Sequence, residues 1–207
     1  MPKVAYSEQE REKIRQALVA VGFELISGQG IQKTTIEQVY KQVGISRTFF
    51  YTFFPSKEEF LVEVLYFQQP RLIAYAQKLM QNPNLSWKEA VEQFLYACCQ
   101  GEKSGVTVLS IEEQQMIFHK LSAEAYQLFR ARQQALFCSI LETFGVCTEP
   151  AVVHLFANLS VSAALVYKAM PDTLPLLFPE AAAEMMQFQV QAIVDYMSTF
   201  RKENGKV

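Results

Sequence analysis

Gly44-Ile45-Ser46-Arg47-Thr48-Phe49-Phe50-Tyr51 decides how this chain is read. A glycine able to take left-handed backbone, an apolar residue behind it and a serine able to cap a new helix mark a tight turn between two helices. Upstream, Thr34 and Glu37 have the spacing of a capping box, and Ile36, Val39, Tyr40 and Val43 recur as the inner face of a short helix ending at Gly44. Downstream, Ser46 caps an expected helix over Arg47 to Phe54, closed by Pro55. Two short helices around a glycine turn form the helix-turn-helix pattern.

The second helix of such a pair lies in the major groove while the first crosses the backbone. On its helical spacing Ile45, Phe50 and Phe54 face inward, and Arg47, Thr48, Tyr51 and Thr52 fall outside that face. Arg47 is able to make a bidentate contact to guanine, Thr48 can donate to a base or phosphate, and Phe49 can touch a thymine methyl. These three are the expected base contacts. Thr34, Thr35, Ser46, Tyr51, Thr52 and Lys57 are the expected phosphate contacts, supported by the helix N-termini among them. Periodicity alone equally allows Phe49 to Phe54 to be an aromatic core helix.

Working outward, Ser7 caps a first helix running to about Ser27, with Ile14, Ala17, Leu18, Val21 and Leu25 on one face and Gly28-Gln29-Gly30 at its end. Ser56 and Glu59 form another capping box and open a helix over 56–80 in which Pro70 is a kink or break. Asn82-Pro83-Asn84 is a turn. Further helices are expected near 87–101, 107–120, 122–144, 150–169 and 180–203, separated by Gly101 to Gly105, Gly145 and Pro171 to Pro179. The fold class is all-α. A three-helix DNA-binding domain over residues 1–58 is followed, through helix 56–80, by a larger helical domain over 59–207.

Composition bounds what such a fold can do. Half of the 207 residues are hydrophobic and 19% are charged, which implies a packed globular protein. A net charge of −2 with a pI near 5.8 gives no whole-chain signature of nucleic-acid binding. Residues 1–60 hold eight Lys/Arg against seven Asp/Glu, and the remainder eleven against fourteen, so the balance tips slightly towards the headpiece. The start of the chain has no apolar leader and the four cysteines lack metal-ligand spacing, implying a reduced cytoplasmic setting.

Ala151 to Met170 is as long as a membrane span but carries His154, Asn158, Ser160, Ser162 and Lys168, so a buried helix of a soluble bundle is expected and no membrane partner. His119 and His154 lack a spaced third ligand, and no metal or cofactor is expected. Adjacent Cys98 and Cys99 point to different faces, which argues against a paired redox sensor. Neither a nucleophile elbow nor a paired-carboxylate pattern is visible, so no enzymatic role is expected.

Residues 7–65 resemble the N-terminal domain of the TetR family of bacterial regulators. The resemblance is carried by Gly30, Thr34-Thr35, Gly44-Ile45-Ser46, Phe50-Tyr51, Phe54 and Ser56-Lys57-Glu58, all at the family's spacing. Departures are Phe53 where the family usually has a His or Tyr that binds phosphate, Phe49 where Thr is frequent, Val39-Tyr40 for Ile-Ala, and Gly22-Phe23 in the first helix.

The resemblance implies a homodimeric, ligand-responsive repressor bound to a double-stranded operator. It implies an effector-binding second domain and dimerisation through the helices near 150–169 and 180–203. Candidate effector contacts are the polar or soft residues on apolar helices: Tyr96, Cys99, Met116, His119, Tyr126, Cys138, His154, Asn158 and Tyr167. The abundance of Phe, Tyr and Met favours a small hydrophobic or aromatic effector. The alternative is a helical interaction protein of this architecture that has lost specific operator binding.

Overall fold

Capping chemistry decides where most helices of this chain begin. The computed structural model describes residues 6–101, 106–170 and 174–202. Over them the chain is helical, apart from turns, extended segments and one isolated bridge between Val146 and Arg201. The expected breaks at Gly101 to Gly105 and from Pro171, and the end of the last helix at 203, fall partly outside the described residues.

Ten α-helices follow in order: α1 (Glu8–Gln29), α2 (Ile36–Val43), α3 (Arg47–Phe50), α4 (Lys57–Phe67), α5 (Gln69–Met80), α6 (Trp87–Gln100), α7 (Ile111–Phe118), α8 (Ala123–Thr143), α9 (Pro150–Ala169) and α10 (Ala182–Ser198). Reciprocal capping boxes start α1 (Ser7 with Glu10), α6 (Ser86 with Glu89) and α7 (Ser110 with Glu113). For α2 the box is Thr35 with Gln38 rather than Thr34 with Glu37, because Thr34 is buried and donates its hydroxyl to the Gly30 carbonyl at 2.8 Å. Ser56 caps the Glu59 amide without the return bond expected of a full box.

Several expected boundaries shift for identifiable reasons. α1 runs on to Gln29 and stops at Gly30, whose φ of +80° turns the chain out of the helix. The expected helix 56–80 divides at Gln68, with Pro70 at the start of α5, where its missing N–H costs no helical bond. The expected helix 107–120 begins only at Ile111. Ahead of it Thr107 is held extended by the Gln68 side chain, which accepts from the Thr107 N–H at 2.8 Å and donates to its carbonyl at 3.0 Å. The last helix is preceded by a 3-10 turn over Pro179–Ala181.

Two cores result. The first gathers Leu18, Phe23 and Ile26 of α1, Val39 of α2, Phe50 and Phe54, and six buried residues of α4, and it takes in Leu109 and Ile117 from beyond α6. The second lies among α5, α6, α8, α9 and α10. The buried stripe of α1 is Leu18, Val19, Gly22, Phe23 and Ile26, while Ala17 is exposed, so it is rotated from the expected face.

Gly22 explains the rotation. A Cβ there would lie 2.4 Å from Cζ of Phe60 and 2.9 Å from Cγ2 of Val64, so α1 seats on α4 only because position 22 has no side chain. Phe60 and Val64 are fully buried and have nowhere to retreat.

Gly22→Ala is therefore expected to destabilise the protein. Overpacking costs about 1–3 kcal/mol, against a helix-propensity gain of about 0.5–1 kcal/mol. Gly28→Ala meets no atom within 4 Å and keeps only the gain. Thermal unfolding followed by circular dichroism should show Gly22→Ala below and Gly28→Ala at or above the parent midpoint; the reverse order would refute the close α1–α4 seat.

Candidate nucleic-acid interface and ligand cavity

The turn between α2 and α3 is built by Gly44, whose φ of +80° and ψ of +29° are left-handed. Its N–H and that of Ile45 close back on Lys41 and Tyr40, the double bond of a glycine-terminated helix. Ser46 then accepts from the Phe49 amide at 3.2 Å and starts α3. α3 is regular only to Phe50. Residues 51–53 continue as a tighter turn, with Thr52 and Phe53 N–H groups reaching carbonyls three residues back, before Pro55 stops the chain. The expected helix over Arg47 to Phe54 is thus a single regular turn followed by a tightened one.

Phe50 and Phe54 are buried beneath this segment and meet Phe60 of α4 at 5.2 and 5.0 Å between ring centroids. Arg47 and Thr48 stand exposed at its front, and Tyr51, 39% exposed, lies under the Arg47 guanidinium at 5.9 Å. Phe49 is half-buried. Tyr6 stacks on it at 4.9 Å, and Phe53 meets it edge-on at 5.0 Å. The segment is thus divided rather than wholly core: Phe50 and Phe54 anchor it, and the polar residues Arg47 and Thr48 at its N-terminus are exposed.

The phosphate candidates differ in what they have left to offer. Thr34 faces inward, so its side chain is not presented to solvent. The Thr35 hydroxyl is engaged with Gln38, leaving the first amides of α2 as the donors of that terminus. Thr52 donates to the Phe49 carbonyl at 2.7 Å. Lys57 donates to the Thr34 carbonyl at 3.3 Å, holding the start of α4 against the start of α2. Ser46 and Tyr51 remain exposed.

Arg11 is the residue that sequence reasoning missed. Its guanidinium lies 4.7 Å from the Phe53 ring and 5.5 Å from Phe49, close to the Thr52 hydroxyl, and it joins no ion pair among the described residues. A flat cation stacked on aromatic rings keeps its edge N–H groups directed at solvent. The signal available in the sequence was the i,i+4 pair Phe49 and Phe53, which lies off the inward face of Phe50 and Phe54 and so needs a cover from another element. Two acids of this part of the chain are paired with lysines: Glu37 with Lys41 at 2.6 Å and Glu58 with Lys120 at 2.9 Å. Burial is the largest single influence on Glu58 and raises its pKa, but the Lys120 hydrogen bond and charge, a backbone N–H and the Lys57 charge together hold the carboxyl below its usual range.

In the second domain a cavity of about 310 Å³ opens where the α4–α5 joint, α6, the segment 106–109, α8 and α9 converge. Gln68, Gln69, Cys98, Thr107, Gln133 and Phe137 are among its walls. Of the nine candidate effector residues only Asn158 lines it. Met116 is exposed on α7, and His119 and Tyr126 border a separate surface hollow. His154 sits in an open groove between α8 and α9, Cys99 is buried in the second core, and Tyr96, Cys138 and Tyr167 are half-buried against it. Helical periodicity marks which side chains face inward but not which of them border a void. Burial pushes the Cys98 thiol up to about 12 and Cys99 to about 11, so both stay protonated at neutral pH.

α9 has the length and mean hydropathy of a membrane-crossing helix, yet packs on α6, α8 and α10. Only 28% of its most apolar window is buried, which corrects the expectation of a helix enclosed within the bundle. Leu155 and Val161 on α9, and Phe188 and Tyr196 on α10, are exposed.

Comparison with known proteins accords with this geometry. The family profile described as bacterial regulatory proteins, tetR family, matches residues 18–64. A TetR-family transcriptional regulator from Pectobacterium atrosepticum has a TM-score of 0.58 at 16% identity, covering 97% of this chain and 100% of its own. A TetR transcriptional regulator from Rhodococcus sp. RHA1 gives 0.60 at 16% identity, with 92% and 97% covered. RolR in complex with resorcinol gives 0.55 at 16% identity, with 96% and 100% covered. At these identities the likeness is one of fold. No curated protein matches the sequence.

Gln68→Leu tests the joint. Removing both hydrogen bonds to Thr107 is expected to destabilise by about 1–3 kcal/mol and to speed hydrogen exchange at the Thr107 amide. Unchanged exchange there would show that Gln68 does not hold the segment.

Proposed function

We propose that this chain, whose residues 18–64 match the profile of bacterial regulatory proteins of the tetR family and whose fold is that of TetR-family regulators, is a ligand-responsive homodimeric repressor. The observation that carries the reading is the front of α3, where Arg47 and Thr48 stand exposed while the rings behind them are locked into the core.

In this reading Arg47 and Thr48 contact base edges. Phe49 reaches a thymine methyl only along the edge that Tyr6 leaves uncovered. Ser46, Tyr51, Lys57, Arg11 and the first amides of α2 and α4 contact phosphates. The reading that operator binding has been lost is favoured by one observation, Phe53 at the position of the family's phosphate ligand. Arg11 stacked on that ring answers it, supplying a charge where the ring supplies none.

The exposed apolar side chains of α9 and α10 support pairing of two copies about a twofold axis. Paired headpieces then meet half-sites one helical turn, about 34–36 Å, apart or a multiple of it. The cavity supports a small-molecule effector, as RolR holds resorcinol. Ligand binding that alters headpiece separation by a coupling of about 1–3 kcal/mol changes operator affinity roughly 5- to 150-fold. The protein acts in the cytoplasm, where its DNA is.

Gel-shift titration with the DNA upstream of its own gene tests the reading. Arg47→Ala should weaken the specific complex by about 1–3 kcal/mol, and Arg11→Ala or Lys57→Ala should each lower the salt dependence by about one charge. An Arg47→Ala protein that binds the same fragment as tightly as its parent would refute it.

A further inference from the structure

The walls of the cavity specify the chemistry of its occupant more closely than its size does. Among the described residues that line it, none is Asp, Glu, Lys, Arg or His. Their polar side-chain groups are neutral: the amides of Gln68, Gln69, Gln114, Gln133 and Asn158, the hydroxyls of Thr107 and Ser160, and the Cys98 thiol. An ion entering such a space would lose its water without gaining a counter-charge. Four phenylalanines, Phe94, Phe118, Phe129 and Phe137, supply flat apolar surface.

Two of the polar atoms have no hydrogen-bond partner among the described residues. The Gln69 side-chain nitrogen and the Thr107 hydroxyl are both buried without a partner. Buried polar groups are nearly always satisfied, and both of these belong to residues that line the cavity, so a turn of either side chain towards the void would let an occupant supply the missing bond. Gln68 is not available for this, because both ends of its amide are bound to the Thr107 backbone.

The geometry points to a neutral, largely aromatic ligand with a hydroxyl or carbonyl group that bonds the Gln69 amide and the Thr107 hydroxyl. Gln69 is the first residue of α5, and Thr107 belongs to the segment clasped by Gln68. The ligand is thus a second clasp across the joint that Gln68 already holds, at the point where α4 leaves the headpiece core. This assignment rests on the ligand-responsive reading above and adds to it the chemical class and the point of contact.

A single ring system, bare or with one of three head groups, tests it: naphthalene, 2-naphthol, 2-naphthoate and 2-naphthylmethylammonium at pH 7, added to the full chain and followed by thermal shift and calorimetry. 2-Naphthol should bind tightest, naphthalene more weakly, and the two ions not measurably. In Gln69→Leu/Thr107→Val, nearly isosteric at both sites, affinity for 2-naphthol should fall about five- to tenfold while that for naphthalene holds. Either ion binding as well as 2-naphthol, the double variant binding 2-naphthol like the parent, or no member of the set binding would overturn the assignment. Adding 2-naphthol to the DNA complex separates the two claims: a compound that binds as described and leaves DNA affinity unchanged counts against the ligand-responsive reading and not against the site.

Discussion

The burial of α4 from every side is the constraint on which the rest of the structure depends. Within eleven residues it hides Phe60, Leu61, Val62, Val64, Leu65 and Tyr66. Phe60 meets the rings that anchor α3, and Phe60 with Val64 fills the notch left by Gly22 of α1. The other end reaches Leu109 and Ile117 of the second domain. A helix so enclosed cannot shift without shifting what it touches, since close-packed interiors rearrange in discrete steps rather than by yielding. The headpiece is in this sense an extension of the second core's wall.

Polar contacts reinforce the same junction. Glu63 of α4 pairs with Arg15 of α1 at 2.6 Å and lies 3.8 Å from Arg132 of α8, while Glu58 is held by Lys120 just past α7. Arg132 also lies over the Tyr66 ring at 4.3 Å, and burial raises the Tyr66 hydroxyl to about 12, so it remains neutral. Each partly exposed pair contributes little by itself. Together they fix how α4 faces the second domain, and the Gln68 clasp fixes where α4 gives way to α5.

Much of this was legible in the sequence where the physics is local. Gly44 and Ser46 specify a turn and a cap from their own backbone chemistry, and they appear as read. Helices α8 and α9 begin and end within a residue or so of expectation, since Ser122 and Pro150 are strong start signals. What escaped was tertiary. No periodicity indicates that Gly22 makes room for Phe60, that Thr107 is held extended from 39 residues away, or that Arg11 covers Phe53. The cavity escaped for the same reason, because a void is a property of packing that fails to close. Gln69 and Thr107 resemble ordinary surface residues until their surroundings are assembled.

The central claim is that paired headpieces read DNA through the front of α3. Sequencing the genomic fragments retained by the purified full chain at physiological salt tests it most directly. The expected result is an enriched inverted repeat whose half-sites are centred about 34–36 Å, or a multiple of that distance, apart. A retained set with no common motif, or a motif without twofold symmetry, would contradict it.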